Sequence, residues 1–421
     1  MREKFGCNLK PLGEIADVIC GPFGSAIKNT DYQECGIPLV RITNISKDGY
    51  MNYDDLIYIS EELGNSLKRT QVSSGDIVIS QRGSLGQCAI VDDTFEKMNI
   101  SANIIAIKNI RESSATFIHD YLLSIVGQTL LERNVSGQVQ QKVTTQDIAD
   151  ILIPIGCDER RLSEITKIGY CNYKNLLTKA TASLLAFEQK IAEHFNLKNN
   201  KLSRLCFAIY LKDLDGVIDA KRYASMTTHT SEFKISNVCD IVDEKVNVSR
   251  FDKQTIDWIR IDDLPNQPLD IDQVRTQPAN EVEGTFFEVQ EGDILVARLG
   301  PTILNQKIVM VRSVERTTIA SAEFLVLRCK EGYNPEAVMA VLKTAYYRDL
   351  MYSHARGSTP SRYRLNREDM LKLPFPDIHE HQDKIAIDAN NVRKQVKAMR
   401  IQAEQEWQAA KEQFEKELLG E

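Results

Sequence analysis

Hydrophobic positions along the chain follow two patterns, and both patterns return in the second half. Runs of alternating or continuous apolar residues, typical of strands, are followed in each half by apolar residues at helical spacing. The clearest stretch is present twice: Val72–Val91 reads VSSGDIVISQRGSLGQCAIV, and Val289–Val311 reads VQEGDILVARLGPTILNQKIVMV. In each copy Gly-Asp precedes a β-branched run that ends at a glycine, which predicts a turn, a buried strand and an exposed loop.

Five landmarks recur in one order, with offsets of 217 to 222 residues between the copies. They are the Gly-Asp strand, an apolar strand at Ile100–Lys108 or Ile319–Arg328, a helix at Phe117–Arg133 or Ala337–Met351, a polar loop around Gly137 or Gly357, and an exit segment ending at Pro154 or Pro376. Because ordered landmarks at one offset do not arise by chance, the sequence predicts a tandem repeat.

An arginine lies among apolar residues in one strand of each half. The strand at Ile37–Ile45 carries Arg41, and its counterpart at Ile256–Leu264 carries Arg260. Two interpretations are open for both arginines: a structural tie at the sheet edge, or a contact with DNA.

Each copy of the repeat is followed by a long helix, at 159–196 and at 381–419. Apolar residues in both helices alternate at spacings of three and four, which is typical of a coiled-coil seam, and the second helix contains one additional four-residue step. The two helices are expected to pack antiparallel. The seam residues are Tyr173, Leu177, Leu184, Phe187, Ile191, Val392, Val396, Met399, Trp407 and Phe414.

These patterns predict an α+β fold with two tandem-repeat mixed α/β domains, each followed by a long helix, the helices forming an antiparallel coiled coil. The expected division is a first domain at 1–156, a central helix at 157–198, a linker at 199–232, a second domain at 233–379 and a C-terminal helix at 380–421. The 421 residues give each half enough chain to bury its own core.

Composition restricts the function classes. The nine cysteines are scattered without a C-x-x-C pair, so we expect reduced thiols and no metal site. No window reaches the length of a membrane span, and a soluble, cytoplasmic protein without membrane contact is expected. A net charge of −7 argues against general DNA coating, yet Tyr352–Arg367 carries four arginines without a carboxylate.

Motifs of catalysis are missing from the sequence. It contains no G-x-S-x-G, no H-E-x-x-H and no phosphate-binding loop, and it lacks the cofactor and Asn/Asp-Pro-Pro-aromatic strings of a base methyltransferase. The paired carboxylates Asp54-Asp55 and Asp262-Asp263 are more typical of turns and helix caps than of acid–base catalysis. The residues therefore indicate a binding protein with two related reading domains and no catalytic residue.

The first half contains Gly21–Lys28 (GPFGSAIK), Gly36-Ile37-Pro38, Gly75–Gly86 and Ile151–Pro154 in this order. Through these segments it resembles the target recognition domain of the specificity (S) subunits of Type I restriction-modification systems. The second half resembles another such domain through Gly292–Val296, Arg298, Gly300-Pro301 and Arg356–Thr359. It departs from the family in lacking the GPFGS loop, with Val242–Val246 in its place.

This resemblance implies a non-catalytic subunit. Each domain would read one half of a bipartite sequence in double-stranded DNA, and the helices would set the distance between the halves. Two methyltransferase (M) subunits would dock on it, restriction (R) subunits can join them, and S-adenosylmethionine, ATP and Mg would all belong to those partners. An atypical methylation-based phage-defence system, an orphan regulatory protein of the same fold, and an enzyme with its own DNA chemistry are the alternatives.

The resemblance also points to the loops that would contact DNA. Arg matches guanine and Gln or Asn matches adenine in the major groove, whereas Lys and Ser more often hold phosphate. Each position is open to the alternative of a solvated loop or a salt bridge. The candidates are Arg82, Ser84, Gln138, Gln140, Gln141 and Lys142 in the first domain, and Arg298, Thr302, Asn305, Arg356, Ser358, Arg362 and Arg364 in the second.

Overall fold

A computed structural model describes residues 8–82, 86–134, 142–197, 232–251 and 254–420. The chain divides into two compact units, one formed by Met1–Asn175 with Gln402–Glu421 and the other by Leu176–Ile401. The predicted linker at 199–232 lies almost wholly outside the described residues. The division into domains made from the sequence therefore stays a prediction.

The described part of the first unit contains two four-stranded sheets, a two-stranded sheet and helices. Its elements are β1 (Asn8–Pro11), α1 (Leu12–Ile15), β2 (Asp17–Cys20), β3 (Ile37–Val40), β4 (Ile57–Ile59), α2 (Glu61–Ser66), β5 (Gln71–Val72), β6 (Ile77–Ser80), β7 (Cys88–Ile90), β8 (Met98–Ile100), β9 (Ile104–Lys108), α3 (Ala115–Leu123), α4 (Ile125–Asn134), α5 (Thr145–Ala149), β10 (Leu152–Ile155) and the start of α6 (Glu159–His194). Within the described residues one sheet has the order β2-β9-β6-β7, the other has the order β4-β3-β8-β5, and β1 pairs with β10.

The second unit repeats this architecture. Its elements are α7 (Ile235–Val238), β11 (Cys239–Ile241), β12 (Lys245–Asn247), β13 (Thr255–Ile259), β14 (Arg275–Pro278), β15 (Thr285–Val289), β16 (Ile294–Ala297), α8 (Gly300–Leu304), β17 (Ile308–Met310), β18 (Thr318–Ser321), β19 (Phe324–Cys329), α9 (Pro335–Leu342), α10 (Ala345–His354), α11 (Arg367–Lys372) and the start of α12 (Gln382–Leu419). In the described part of this unit the sheet orders are β11-β19-β16-β17 and β12-β15-β18-β13-β14.

The two large sheets of each unit match strand for strand, apart from β12; the β1–β10 pair corresponds in the second unit to a single bridge between Lys234 and Pro374. In the first unit β3 runs parallel to β8 with Leu39 opposite Asn99, and in the second β13 runs parallel to β18 with Trp258 opposite Ile319. Every other pair in these four sheets is antiparallel in both copies. The tandem repeat predicted from the sequence is therefore confirmed, together with the mixed α/β class.

Alternation along β6 explains why the Gly-Asp strand is apolar throughout. Successive side chains of a strand point to opposite faces of its sheet. Val78 packs in a cluster with β3 and β8 of the second sheet, whereas Ile77 and Ile79 pack against the helices. In β16, Leu295 and Ile294 divide in the same way. The strand is therefore buried on both faces, and packing on each face fixes its register.

The Gly-Asp pair closes the turn before this strand. Gly75 and Gly292 have φ of 90° and 88°, the left-handed region that glycine adopts without strain. The carboxylate of Asp76 accepts a hydrogen bond from the Ser73 amide at 2.9 Å, and that of Asp293 accepts one from the Gln290 amide at 2.9 Å. The motif recurs because both copies need this turn.

Two predictions about element boundaries are wrong. The stretch Ile100–Lys108 was expected to form one strand, but it contains the end of β8 and all of β9, which belong to different sheets; β18 and β19 divide Ile319–Arg328 in the same way. The helix predicted at Phe117–Arg133 is broken into α3 and α4, because Ser124 is extended and its hydroxyl accepts a hydrogen bond from the Gly127 amide. Thr344 separates α9 from α10.

The long helices were predicted within two residues of their observed ends. In the first unit the start of α6 lies against the end of α12, with Leu162 in one cluster with Phe414 and Leu418. In the second unit the end of α6 lies against the start of α12, with Ala180 beside Val396. Because the start of one helix meets the end of the other in both units, the pairing is antiparallel, as predicted.

Candidate nucleic-acid interface

Loops from three strands meet at one end of the first unit. Cys20, the last residue of β2, lies opposite Ile105, and Ser80, the last residue of β6, lies opposite Ile104 at the start of β9. The chain leaving β2, the chain leaving β6 and the turn entering β9 are therefore neighbours. We call this end the first loop edge; it consists of 21–25, 81–82, 101–103 and 142–143.

Main-chain hydrogen bonds hold the first loop edge together. The Gln81 amide donates to the Asn103 carbonyl at 2.9 Å, and the Val143 amide donates to the Gln81 carbonyl at 3.1 Å. Of the predicted DNA contacts, Arg82 is exposed here and Lys142 is half-buried beside Val143. Ser84, Gln138, Gln140 and Gln141 lie outside the described residues.

The second unit forms an equivalent edge with the same two main-chain bonds. The Arg298 amide donates to the Glu323 carbonyl at 3.1 Å, and the Leu365 amide donates to the Arg298 carbonyl at 2.9 Å. Arg298 therefore occupies the place of Gln81, and Glu323 that of Asn103. We call 298, 323 and 356–365 the second loop edge.

The loop 356–365 is closed by a short antiparallel bridge. The Arg356 amide donates to the Arg364 carbonyl at 3.0 Å, and the Arg364 amide donates to the Arg356 carbonyl at 2.8 Å. Between them, Gly357 approaches the backbone so closely that a Cβ would lie 2.4 Å from the carbonyl oxygen of Arg362. Glycine at this position is thus a steric requirement of the loop.

Carboxylates hold most of the arginines at the second loop edge. Arg364 donates Nε and Nη2 to Glu323 at 3.1 and 3.2 Å, a bidentate pair that raises the pKa of Arg364, and Arg298 Nε lies 3.9 Å from the same carboxylate. Arg356 pairs with Asp369 at 3.1 Å. Within the described residues the exposed guanidinium of Arg362 has no carboxylate partner.

The remaining candidates at this end are held less firmly. The Thr302 hydroxyl donates to the Leu299 carbonyl at 2.8 Å in the first turn of α8, and the Asn305 side chain is exposed at its end. Ser358 is exposed in the 356–365 loop. The sequence-based candidates did not include Glu323. Glu323 occupies the position in the second copy of the repeat that Asn103 occupies in the first, and this equivalence could have identified it.

Arg41 and Arg260 lie one residue past the parallel strands β3 and β13, so the prediction that they lie within strands at Ile37–Ile45 and Ile256–Leu264 is wrong. Both side chains act as ties to nearby loops. Arg41 donates through Nη2 to the carbonyl of Asp55, and its amide donates to Asn44 Oδ1 at 2.9 Å. Arg260 donates to Asp262 at 3.1 Å and its guanidinium lies 5.1 Å from the centre of the Trp258 ring. These contacts favour the structural interpretation for Arg260; Arg41 also faces a cleft described below.

The predicted seam residues lie between the helices and against the domain cores. In the first unit Tyr173 and Trp407 have ring centres 6.4 Å apart, and Phe414 lies 6.3 Å from Phe117 of α3. In the second unit Val396 is fully buried and Ile191 joins the main core. The remaining predicted seam residues are half-buried; they are Leu177, Leu184, Phe187, Val392 and Met399.

Two further properties concern the described residues as a whole. Among them, no group of three or more His, Cys, Asp or Glu side chains could hold a metal ion. A search of the same residues found no helix that combines the length and apolarity needed to cross a membrane.

Comparisons with known proteins agree with the resemblance in sequence. Residues 6–160 match the family of the Type I restriction modification DNA specificity domain. The Type I restriction enzyme EcoBI specificity subunit of Escherichia coli is 23% identical over 187 residues, which are 44% of this chain and 36% of that protein. The match thus spans about a third of the relative's length.

Solved structures of similar proteins cover nearly the whole chain. The HsdS subunit from Thermoanaerobacter tengcongensis is 14% identical with a TM-score of 0.37, covering 99% of this chain and 97% of its own. The Type-I restriction-modification system S subunit from M. genitalium is 10% identical with a TM-score of 0.38, covering 98% and 94%. The family match is confined to residues 6–160, in the first half of the chain.

Proposed function

We propose that this chain is the non-catalytic specificity subunit of a Type I restriction-modification complex, and that each loop edge reads one half of a bipartite DNA target. The observation that carries the proposal is the repeat itself. The second unit reproduces the strand order and register of the first, and residues 6–160 of the first match the DNA specificity family. Two copies of one reading domain in a chain fit a target with two separate halves.

The charge at the second loop edge supports contact with DNA. Four arginines, Arg298, Arg356, Arg362 and Arg364, are set against two carboxylates, Glu323 and Asp369. The excess positive charge is local, on a chain whose net charge is −7. Such a surface favours one defined contact with phosphate or base over general coating of DNA.

The pairing of Arg364 separates two kinds of arginine. Glu323 fixes the plane of the Arg364 guanidinium, which suits a bidentate contact with guanine in the major groove. Arg362 is exposed and unpaired within the described residues, which suits a phosphate contact. In this proposal Arg364 reads a base, and Arg362 positions the protein on the DNA backbone.

Substitution of the two arginines tests this assignment. Arg364→Ala should relax one position of the target at a cost of about 1–3 kcal/mol, whereas Arg362→Ala should weaken all sequences alike and lower the salt dependence by about one phosphate contact. Fluorescence anisotropy of the assembled complex across a salt series measures both. A lowered melting temperature with unchanged DNA affinity would show instead that these arginines only stabilise the loop.

The paired helices are proposed to set the distance between the two half-sites. The 36 residues of α6 span about 54 Å at 1.5 Å per residue, compared with about 34 Å for one turn of DNA. Insertion of four residues after Ala180 and four between Val396 and Ala403 lengthens both helices by about 6 Å with little change of face. We expect unchanged half-sites with a spacer longer by one or two base pairs.

A two-residue insertion at the same positions is the matched control. It rotates the seam by about 200° and should abolish assembly. An unchanged spacer after the four-residue insertion, with DNA binding intact, would exclude the helices as the ruler.

Partners and cofactors follow from the same proposal. Two methyltransferase subunits would bind this chain and carry S-adenosylmethionine, and restriction subunits with ATP and Mg would join them; this chain would hold no cofactor and act in the cytoplasm. The decisive experiment maps methylated adenines in the host genome with and without the gene. A bipartite motif that disappears on deletion supports the proposal, whereas an unchanged methylome contradicts it.

A further inference from the structure

A cleft of about 420 Å³ opens at the first loop edge. The 21–25 loop with Phe23 lines this cleft, as does Arg41, which follows β3. Asn29, Ser101 and Asn103 add amide and hydroxyl groups to a lining that also contains Ile27, Tyr32, Leu39 and Ile42. The cleft therefore combines an aromatic ring at its mouth with hydrogen-bonding groups inside.

The loop that carries Phe23 is fixed at its base and open at its tip. A Cβ on Gly21 would lie 2.0 Å from the Ser101 carbonyl oxygen, so only glycine allows this approach, and the Gly21 amide donates to Ile104 at 2.8 Å. The Ala26 amide donates to the Phe23 carbonyl at 2.8 Å and closes a turn. Phe23 itself is 90% exposed, more than any other large apolar side chain identified as exposed in the described residues.

Arg41 gives the cleft a donor that is not in use. Its Nη2 donates to Asp55, but its Nε is buried without a hydrogen-bond partner among the described residues. A buried N–H without an acceptor is costly, and an incoming acceptor relieves that cost. The guanidinium is held in place by the Asp55 contact, so a ligand meets it already oriented.

We propose that Phe23 inserts into the base stack of DNA bound at the first loop edge, and that the cleft receives the base which the ring displaces. The inference rests on the proposed function. Apolar side chains inserted between base steps are a known means of unstacking DNA, and an extruded base is bound by stacking and by hydrogen bonds to its edge. Phe23 supplies the apolar side chain that enters the stack, and Arg41, Asn29 and Asn103 supply hydrogen bonds to the edge of the extruded base.

The surroundings of Phe23 favour DNA over a protein partner. A docking surface for protein buries several apolar side chains together at its centre. Here the Phe23 ring is 90% exposed and the other ring of the cleft lining, Tyr32, is 38% exposed, on the same edge as Arg82 and Lys142. The Asp31 carboxylate accepts a hydrogen bond from the Lys28 amide at 2.7 Å. A highly exposed ring beside two cations and a cleft that contains hydrogen-bonding groups fits an intercalating wedge.

The second unit builds this region differently. The chain leaving β11 forms the added strand β12, with Val246 opposite Phe286 at the edge of the sheet. The second unit thus has no equivalent of the Gly21–Ser25 loop among the described residues of that region, 242–251. Base displacement is therefore expected only in the half-site read by the first unit.

The test uses the complex assembled with its methyltransferase subunits on a duplex carrying the target found by methylome mapping. Permanganate detects unstacked thymine, and chloroacetaldehyde detects unpaired cytosine and adenine, so every base pair can report. The wild type should show one reactive position in the first half-site besides the methylated adenine. Phe23→Ala should remove that reactivity and weaken binding roughly 5- to 150-fold, whereas Phe23→Trp should retain both.

Ile125→Ala is the matched control. Ile125 is another exposed apolar side chain of the first unit, at 70%, but it lies on α4 and not on the first loop edge. It should leave DNA reactivity and affinity unchanged. The proposal is overturned if Phe23→Ala keeps the reactive base, or if it loses the methyltransferase subunits with DNA binding otherwise intact. Absence of sequence-selective binding by the wild-type complex would contradict the proposed function itself, a result distinct from either.

Discussion

In both units a corresponding loop joins the sheets to the helix pair; we call these contacts the first and second joints, and their chemistry differs. In the first unit the loop between β3 and β4 presents Tyr50, whose ring is stacked on Tyr170 of α6 at 3.3 Å between centres, with Trp407 of α12 5.5 Å from Tyr170. In the second unit the loop between β13 and β14 presents Asp270, which is bound to Arg393 of α12 at 2.8 Å.

The second joint is a network of charges. Asp270 also accepts from Arg312 Nε at 2.6 Å, and Lys397 lies 3.4 Å away. Burial raises the pKa of Asp270, but its bonds to Arg312 and Arg393 outweigh this effect and the net pKa is lowered. Equivalent loops of the two units thus contact the helices through an aromatic stack in one case and through an ion network in the other. The two joints should differ in their response to truncation, salt and pH.

Trp407→Ala should have the largest effect on the aromatic joint. Trp407 is 3% exposed and contacts the rings of Tyr50, Tyr170 and Tyr173. Removing a buried aromatic side chain costs about 3–5 kcal/mol in free energy of unfolding. Urea denaturation measures the loss, and hydrogen exchange should place it at 402–420 and not at 382–401.

Trp407→Phe is the control for that change. The Trp407 indole N–H is buried without a partner within the described residues, so its loss removes no hydrogen bond. The cost should stay below about 1.5 kcal/mol. A loss as large as that of alanine would mean that the joint depends on the indole group itself.

Asp270→Asn should weaken the ionic joint by about 2–3 kcal/mol. The change leaves Arg393 without a carboxylate partner among the described residues, whereas Arg312 keeps its pair with Glu336 at 2.6 Å. Removing one member of a buried pair costs up to about 3–5 kcal/mol, and the retained Arg312 pair and the exposure of Lys397 reduce the expected loss. Asp272→Asn, at a side chain 58% exposed and paired with Lys397 at 2.9 Å, should cost less than about 0.5 kcal/mol. Equal effects in urea denaturation would contradict a joint centred on Asp270.

Both joints should respond to pH, the first through Asp48, whose pKa is raised by burial, and the second through Glu188 and Lys343. Burial raises the pKa of Glu188 on α6 to about 7 although Lys343 and Arg348 oppose the shift, and burial lowers the pKa of Lys343 to about 8. Between pH 4.5 and 7 the folded chain holds the Glu188 proton that the unfolded chain has released, so stability falls as pH rises. Between about pH 8 and pH 10.5 the opposite applies for Lys343, and stability rises.

Glu188→Gln should therefore reduce the decline in stability between pH 5 and pH 7. Urea midpoints at these two values provide the measurement, with Glu193→Gln on the same helix as the control. A decline that persists in Glu188→Gln would assign the titration to another group.

Lys190→Ala should have the smallest effect. Lys190 pairs with Asp388 at 2.9 Å between the helices of the second unit, but its side chain is 67% exposed. Exposed pairs contribute about 0–1 kcal/mol and are screened by salt. A loss above about 1 kcal/mol in urea denaturation would show that ion pairs matter to this helix pair even at its surface.

The comparison also marks what the sequence can predict. Landmarks such as the Gly-Asp turn are local, because the turn needs a left-handed glycine and a carboxylate in one place, so the repeat and its order were readable. The seam spacing likewise predicted both long helices. The split of Ile100–Lys108 was not readable, since both strands are apolar and only tertiary pairing assigns them to different sheets.

The candidate site was less readable than the fold. The loops around Arg82 and Arg356 were found through resemblance, but the part of Glu323 in holding Arg364 depends on a contact between residues 41 positions apart. The side-chain contacts of the two joints could not be predicted from the sequence for the same reason. Nothing in the spacing of Tyr50 or Asp270 indicates which helix each one touches.

The main-chain bonds of the loop edges bear on how such a protein diversifies. The positions of Gln81 and Arg298, and those of Asn103 and Glu323, are fixed through amides and carbonyls that every residue but proline provides. A substitution at one of these positions therefore leaves the main-chain bonds in place, although the Glu323 side chain also holds Arg364 and the Gln81 side chain is buried. The two copies in this chain already differ at both positions, so under the proposed function recognition can change by point mutation while these main-chain bonds are kept.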